Sequence, residues 1–206
     1  MGGSGLWPVT LRAGDLALRP LRYRDRSEWM ALRARNRDWL EPWEASNPQP
    51  GGGLPTFGQM VRSLSHQARE GSALPFVITL DDPRRRRAPM VGQLTVSSIV
   101  WGSALMATLG YWVDRGHAGR GIAPTAVALA TDYCFADLGL HRMEINIRPE
   151  NAPSLRVVEK LGFRYEGLRP RYLHINGAWA DHESYALTAE EVPEGGVLGR
   201  WLSSRG

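Results

Sequence analysis

The sequence predicts a single mixed α/β domain, and three observations carry that expectation. Runs of period-two hydrophobic alternation are interleaved with segments of helical spacing. Their order is an antiparallel first half followed by a βαβα section. The length, 206 residues, suits one domain with terminal extensions, and 43% hydrophobic content can fill a core. Residues 1–14 are expected as a loose lead-in, 15–190 as the domain and 191–206 as a C-terminal tail.

The elements follow in order. Leu16, Leu18 and Pro20-Leu21 suggest a short first strand. From Arg24 to Trp43 the positions Trp29, Leu32, Trp39 and Leu40 recur at roughly helical spacing, with Asp25 as a start and Pro42 as an end. Ser46 to Pro55 is rich in Gly and Pro and reads as a loop. Phe57 to Arg69 is a second helix, with Phe57, Met60, Val61 and Leu64 on one face. Strands are expected at Pro75–Leu80, Met90–Val100 and Leu105–Val113, as an antiparallel meander. The turn at Asp81 to Pro89 carries Arg84 to Arg87. A long helix runs from after Gly121 to about Leu138. Arg142–Arg148 alternates Met143, Ile145 and Ile147 with polar residues and reads as a strand. Asn151 caps a helix ending at Leu161, and Gly162 stands where a left-handed terminator belongs. Phe163–Tyr172 and His182–Leu187 complete the strands.

Composition excludes several classes. No run of 18 apolar residues exists, so no transmembrane helix is expected. The first residues lack a basic start and an apolar stretch, and Leu6 breaks the myristoylation pattern. A single cysteine, Cys134, forbids an internal disulfide and leaves no metal cluster, which points to the cytoplasm. Lysine occurs once, at Lys160, against 24 arginines. A GC-rich coding sequence accounts for this first; phosphate recognition by planar guanidinium groups is the functional alternative. With a net charge of only +4, general nucleic-acid binding has weak support.

Two segments carry chemistry. Leu109-Gly-Tyr-Trp-Val113 leads into Ala118-Gly-Arg-Gly-Ile-Ala123, which opens a helix. Small residues at such a junction let backbone N–H groups approach an anion, and the helix terminus adds partial positive charge. No Gly-Lys-Ser/Thr follows, so this is no Walker loop. Some thirty residues on, Asn151-Ala-Pro-Ser154 opens the capped helix that ends in Leu161-Gly-Phe163.

Together these segments resemble the GCN5-related N-acetyltransferase (GNAT) family, whose acetyl-CoA loop reads Gln/Arg-x-x-Gly-x-Gly/Ala. Ala118 replaces the first side chain but costs no backbone donor. Asn-x-x-Ser, Leu-Gly-Phe-x-x-Glu-Gly, the opening Leu18-Arg-Pro-Leu21 with Asn36-x-x-Trp39-Leu40-x-Pro42-Trp43-Glu44, and Asn176-Gly-x-Trp179-x-Asp181-His182 are similar to the ribosomal-protein-alanine acetyltransferase branch. The resemblance spans roughly Leu16 to Leu187. It implies a GNAT fold: a mostly antiparallel sheet with one splayed parallel pair, flanked by helices.

The resemblance also implies roles. Acetyl-CoA would lie between strands Leu105–Val113 and Arg142–Arg148, against Tyr111, Trp112 and Val113. Its pyrophosphate would sit on Gly119, Arg120, Gly121, Ile122 and Ala123, and Asn151 would bind the pantetheine arm. Ser154 would protonate the departing thiolate, and a backbone N–H near Trp112-Val113 would hold the oxyanion. Glu144, Glu44 and Glu166 stay open as the base. Trp43, Trp101 and Glu44 are expected to grip the acceptor, while His174 and His182 are expected to be structural.

The expected reaction is direct transfer of acetyl from acetyl-CoA to a primary amine, without a metal. The N-terminal α-amine of a ribosomal protein comes first, with ribosome association as a corollary. A small-molecule amine is the first alternative. A basic RNA- or ribosome-binding module with a degenerate cofactor site, motivated by Arg84–Arg87, is the second. No membrane partner is expected, and monomer and homodimer both stay open.

Overall fold

A computed structural model describes residues 7–49 and 55–205. The expectations for residues 1–6 and for half of the glycine-rich loop, residues 50–54, lie outside the described residues. The chain orders as β1 (Leu11–Ala13), β2 (Leu16–Pro20), α1 (Arg26–Arg35), α2 (Arg37–Leu40), α3 (Phe57–Arg69), β3 (Leu74–Leu80), β4 (Met90–Val100), β5 (Met106–Val113), α4 (Ile122–Ala136), β6 (Arg142–Ile147), α5 (Ala152–Leu161), β7 (Arg164–Ile175), β8 (Ala178–Thr188) and α6 (Gly196–Ser203). The strands form one sheet in the order β1-β2-β3-β4-β5-β6-β8-β7. Every pairing is antiparallel except β5 with β6. This is the mostly antiparallel sheet with one parallel pair, flanked by helices, that the sequence suggested.

Alternation fixes the two faces. Leu16, Leu18, Phe76, Ile78, Leu94, Leu109, Met143 and Ile145 turn to one face and meet α4. That helix is apolar nearly all round, with Ala126, Val127, Ala128, Ala130 and Cys134 fully buried, as a helix between a sheet and a further layer must be. Val77 and Met90 turn to the opposite face and pack under α1 and α3, with Leu32, Phe57 and Val61.

Several elements depart from expectation. The segment expected as one helix from Arg24 to Trp43 breaks at Asn36. The Asn36 amide donates to Leu32 O (2.9 Å) and to Asp114 Oδ1 (2.7 Å), drawing the chain out of helical register. Asp25 does not cap α1 with its side chain. It is fully buried, bound by Arg19 (2.8 Å), by Arg87 and by the Arg22 amide (2.8 Å). Burial opposes its charge, but these donors outweigh it and hold the carboxyl below its ordinary range.

Ordered structure also extends into both terminal segments. Leu11–Ala13 pairs with β2, and Trp7 packs edge-on against Phe76, so the described part of the lead-in belongs to the sheet. In the segment expected as a tail, α6 docks on α4 through Val197 and Trp201. The Asp132 carboxylate of α4 accepts from Val197 N (2.8 Å) and Leu198 N (3.0 Å), satisfying two free amides at the start of α6.

The last two strands are longer than the periodicity indicated. They join through Asn176-Gly177, both at positive φ, the geometry that a two-residue hairpin requires. β7, the sheet edge, is interrupted by irregularities between Tyr165 and Gly167 and between Arg169 and Leu173. The second contains Pro170 and the left-handed Arg171. Across the molecule, Ala45 forms a bridge with Ile175. Ser46 N donates to His174 O and Asn176 N to Glu44 O, both at 2.9 Å.

Candidate active site

The site begins with a fork. β5 and β6 pair only at Met106↔Arg142, Ala107↔Met143 and Thr108↔Glu144. Beyond that point β5 continues beside β4 to Val113, and β6 continues beside β8 to Ile147. On its β6 side, the Leu109–Val113 backbone therefore has no strand partner among the described residues. A Cβ on Gly110 would meet nothing within 4 Å, so the cleft is open at that position.

Past β5 lies the glycine loop. Gly119 and Gly121 both have left-handed backbones, φ 77° and 80°, which a side chain resists. Gly121 is followed directly by α4, so the free amides of its first turn sit at the loop. A chain of contacts from α6 fixes this turn. Trp201 Nε1 donates to Thr125 Oγ1 (2.8 Å), and that hydroxyl donates to Gly121 O (2.8 Å). The Arg205 guanidinium stacks on Trp201 and lies 2.9 Å from where a Gly121 Cβ would be.

The loop's approach is set by Asp114. Its carboxylate accepts from Asn36 (2.7 Å) and Arg35 (3.1 Å) of the α1 end and from His117 (2.7 Å). Burial opposes the charge, yet these partners prevail and hold the group near a pKa of about 2.

On the α4 face, the Asn151 side chain accepts from Ser154 N (3.2 Å), capping α5 as the sequence indicated. Ser154 lies beside the Tyr111 hydroxyl. That hydroxyl is buried without a well-formed partner among the described residues, and burial pushes its pKa up to about 12, with Ser154 acting in the opposite direction. An orphaned buried donor, an unpaired strand edge and a glycine turn at a helix start together fit a ligand with an extended amide arm and a pyrophosphate.

On the α1 face, the side chains of distant segments converge. Arg33 binds Glu44 and stacks on Trp29 and Trp112 at 5.5 and 5.4 Å. Arg148, just past β6, stacks on Trp43 at 5.6 Å and donates to Pro42 O (2.9 Å). Trp43, Glu44 and Trp112 thus share one wall. Beside it, an open groove of about 710 Å³ runs between α3 and β4, lined by Gln59, Met60, Ser63, Leu64, Gln93 and Thr95. Gln93 is the register partner of Trp112.

Glu144 sits at the vertex of the fork, buried, with Arg142 Nε at 2.8 Å and Arg169 at 3.3 Å. Glu166 lies outside the convergence. Contacts from Arg142 and then Arg164 lower its pKa to about 2, so its carboxylate is a weak base at neutral pH. Trp101 is also not brought to the fork. It occupies the β4–β5 turn, at the opposite end of β5, where it donates to Gly71 O (3.1 Å).

One residue expected to be structural gains chemical interest. His182, on β8, is buried, and burial lowers its pKa. Its Nδ1 lies 3.0 Å from Ala180 O. A carbonyl only accepts, so the proton is assigned to Nδ1, leaving the Nε2 lone pair free. His174 instead joins Ser46 Oγ at 2.9 Å.

Among the described residues no helix is long and apolar enough to cross a membrane, and no cluster of metal-ligating side chains occurs.

Comparison with known proteins agrees with this geometry. Residues 15–164 match the family described as an acetyltransferase (GNAT) domain. The probable N-acetyltransferase YjcK of Bacillus subtilis is 33% identical over 180 residues, covering 86% of this chain and 96% of its own. The ribosomal protein uS5-alanine N-acetyltransferase of Escherichia coli is 31% identical over 191 residues, covering 91% and 94%. The structure of Mycobacterium smegmatis RimJ in complex with CoA-disulfide superposes with a TM-score of 0.87 at 39% identity, covering 97% and 96%. With its forked β5–β6 pair and glycine loop, the chain belongs to the GNAT family and is an acetyl-CoA-dependent N-acetyltransferase.

Proposed function

We propose that the chain acetylates the N-terminal α-amine of a ribosomal protein, with an Ala or Ser terminus preferred, in the cytoplasm. The observation that carries this reading is the shape of the acceptor side. The groove of about 710 Å³ between α3 and β4 is open to solvent, suiting a peptide better than an enclosed small amine. The similarity to a uS5-alanine acetyltransferase supports the same class.

Each residue then has a task. The amides of Gly119 to Ala123 hold the pyrophosphate, with Arg120 adding charge, and the free edge of Tyr111–Val113 takes the pantetheine amides. Asn151 binds that arm. Trp43, Trp112 and Glu44 receive the amine end of the peptide. A terminal amine has a pKa near ~8, so its deprotonation needs only a modest acceptor. Glu44 and Glu144, each tethered to arginine, and neutral His182 are the candidates on this face. Ser154 gives a proton to the sulfur as the thioester C–S bond breaks, and a backbone N–H near Trp112-Val113 holds the oxyanion. The catalytic unit includes α6, because its Trp201 supports the glycine loop.

A peptide array with acetyl-CoA tests the reading. Peptides beginning Ala or Ser should be acetylated at the terminal amine, ahead of Lys side chains, polyamines and aminoglycosides. Faster turnover of a free polyamine than of any peptide would replace the protein acceptor with a small one.

A further inference from the structure

The Arg84–Arg87 run is left unused by the catalytic reading, and the fold gives it company. Asp25 receives Arg19 of β2 and Arg87 of the β3–β4 turn together. The buried carboxylate thus pins the 81–89 turn against the segment that opens α1. Two arginine-rich stretches, remote in sequence, become one corner holding Arg19, Arg22, Arg24 and Arg26 with Arg84 to Arg87.

Charge is concentrated there. Residues 19–28 and 81–87 carry eight arginines against four carboxylates, a net +4 that equals the formal net charge of the whole chain. The four carboxylates are already engaged. Asp25 is buried between two guanidinium groups, Asp81 pairs with Arg12, Asp82 with Arg85, and Glu28 accepts from Met90 N. Arg24, Arg26, Arg84 and Arg86 are exposed and form no ion pair among the described residues. Between Arg22 and Arg24, Tyr23 is 57% exposed.

We propose that this corner is a binding surface for single-stranded RNA, the arginines taking phosphates and Tyr23 stacking on a base. Guanidinium forks match phosphate oxygens, and an exposed ring among them offers a sequence-tolerant platform. A membrane surface could use the same charge, so anionic vesicles form one arm of the test. The corner lies on β2 and the β3–β4 turn and uses none of the residues assigned to acetyl-CoA or to the acceptor, so it stands independently of the acceptor reading.

The test is fluorescence anisotropy of the full chain with a fluorescein-labelled 20-nucleotide RNA of mixed sequence, from 50 to 300 mM salt. Binding should weaken steeply with salt. R84E/R86E and R24E/R26E should each lower affinity about tenfold or more, and flatten the salt slope by about 1 or more. Y23A should lower affinity about fivefold with the slope unchanged. R62E/R69E on α3 makes the same charge change elsewhere and should have little effect. Peptide acetylation by R84E/R86E should match the unmodified chain, which also reports that the variant folds. Saturating CoA should leave RNA affinity within about twofold. No salt-dependent binding at 50 mM salt, an equal loss in R62E/R69E, or displacement of RNA by CoA would each overturn the proposal. So would vesicles of anionic phospholipid binding through these arginines where RNA does not.

Discussion

The two halves of the proposed active site are built in different ways. The cofactor half is assembled from neighbours in sequence: β5, the glycine loop, α4, β6 and α5 follow one another between Met106 and Leu161. Its groups are backbone amides and a cap, placed by local conformation and braced from outside by Trp201 of α6. The acceptor half is assembled from strangers. Arg33 reaches Glu44 and Trp112, Arg148 reaches Trp43, and the stretch Glu44–Ser46 is held by the β7–β8 hairpin some 130 residues later. A site of the first kind depends on chain geometry, whereas one of the second depends on side-chain partners.

The largest expected effect tests the cofactor half. Ser154→Ala should lower kcat by about 10²-fold with little change in the KM for acetyl-CoA, the size of a general-acid contribution. Tyr111→Phe sharpens the result, because the phenol adjoins Ser154. If Tyr111→Phe carries the loss and Ser154→Ala does not, the proton comes from the phenol and Ser154 belongs to the α5 cap. Steady-state kinetics on both variants decides this.

Next comes the seam between the halves. Asp114 ties the end of α1 to the approach of the glycine loop, and its side chain is only 8% exposed. Its folded pKa of about 2 lies below the ordinary carboxylate value of 3.8. The stabilisation is therefore complete above the unfolded pKa and is lost as pH falls through about 2. Asp114→Asn should cost about 2 kcal/mol at pH 7, and the gap from the unmodified chain should narrow as pH falls below about 4. Urea unfolding at pH 7 and pH 3 measures it. A gap independent of pH would mean that Asp114 acts by shape rather than charge.

The smallest effect belongs to the acceptor half. Glu44→Gln removes an attraction for a cationic amine, but this carboxylate is 38% exposed and already paired with Arg33. Its acceptor KM should rise about threefold, as for a solvent-screened pair, with acetyl-CoA affinity fixed. A fall in kcat with a displaced acidic limb would promote Glu44 to proton acceptor. Unchanged kinetics would make it a surface partner of Arg33.

The same contrast explains what was legible in the sequence. Asn151, Gly121 and Gly162 announce their conformations because caps and left-handed turns are local events, and α3 begins and ends as its periodicity requires. Partnership is not local. The Glu44, Glu144 and Glu166 carboxylates look alike in sequence, and only the fold assigns each to its arginines. Trp101 looks like any other aromatic wall until the hairpin carries it to the far end of β5. α6, with Gly195, Gly196 and Gly199, reads as a poor helix, and its stability comes from Asp132 and the bed of α4. Asn176-Gly177 stands out in the sequence only through the family resemblance; its hairpin-turn chemistry extends both flanking strands beyond their alternating stretches.

The broken course of β7 has a consequence for solution behaviour. This edge strand exposes Tyr165, Leu168, Tyr172 and Leu173, the composition from which edge-to-edge aggregation starts. A second sheet can add to it only through an uninterrupted row of free amides and carbonyls. Pro170 removes one amide, Arg171 turns the chain left-handed, and its own amide is spent on Asp181 at 2.7 Å. The bridge from Ala45 covers the far end at Ile175. The irregularities of β7 thus keep a sticky edge from templating its own copies.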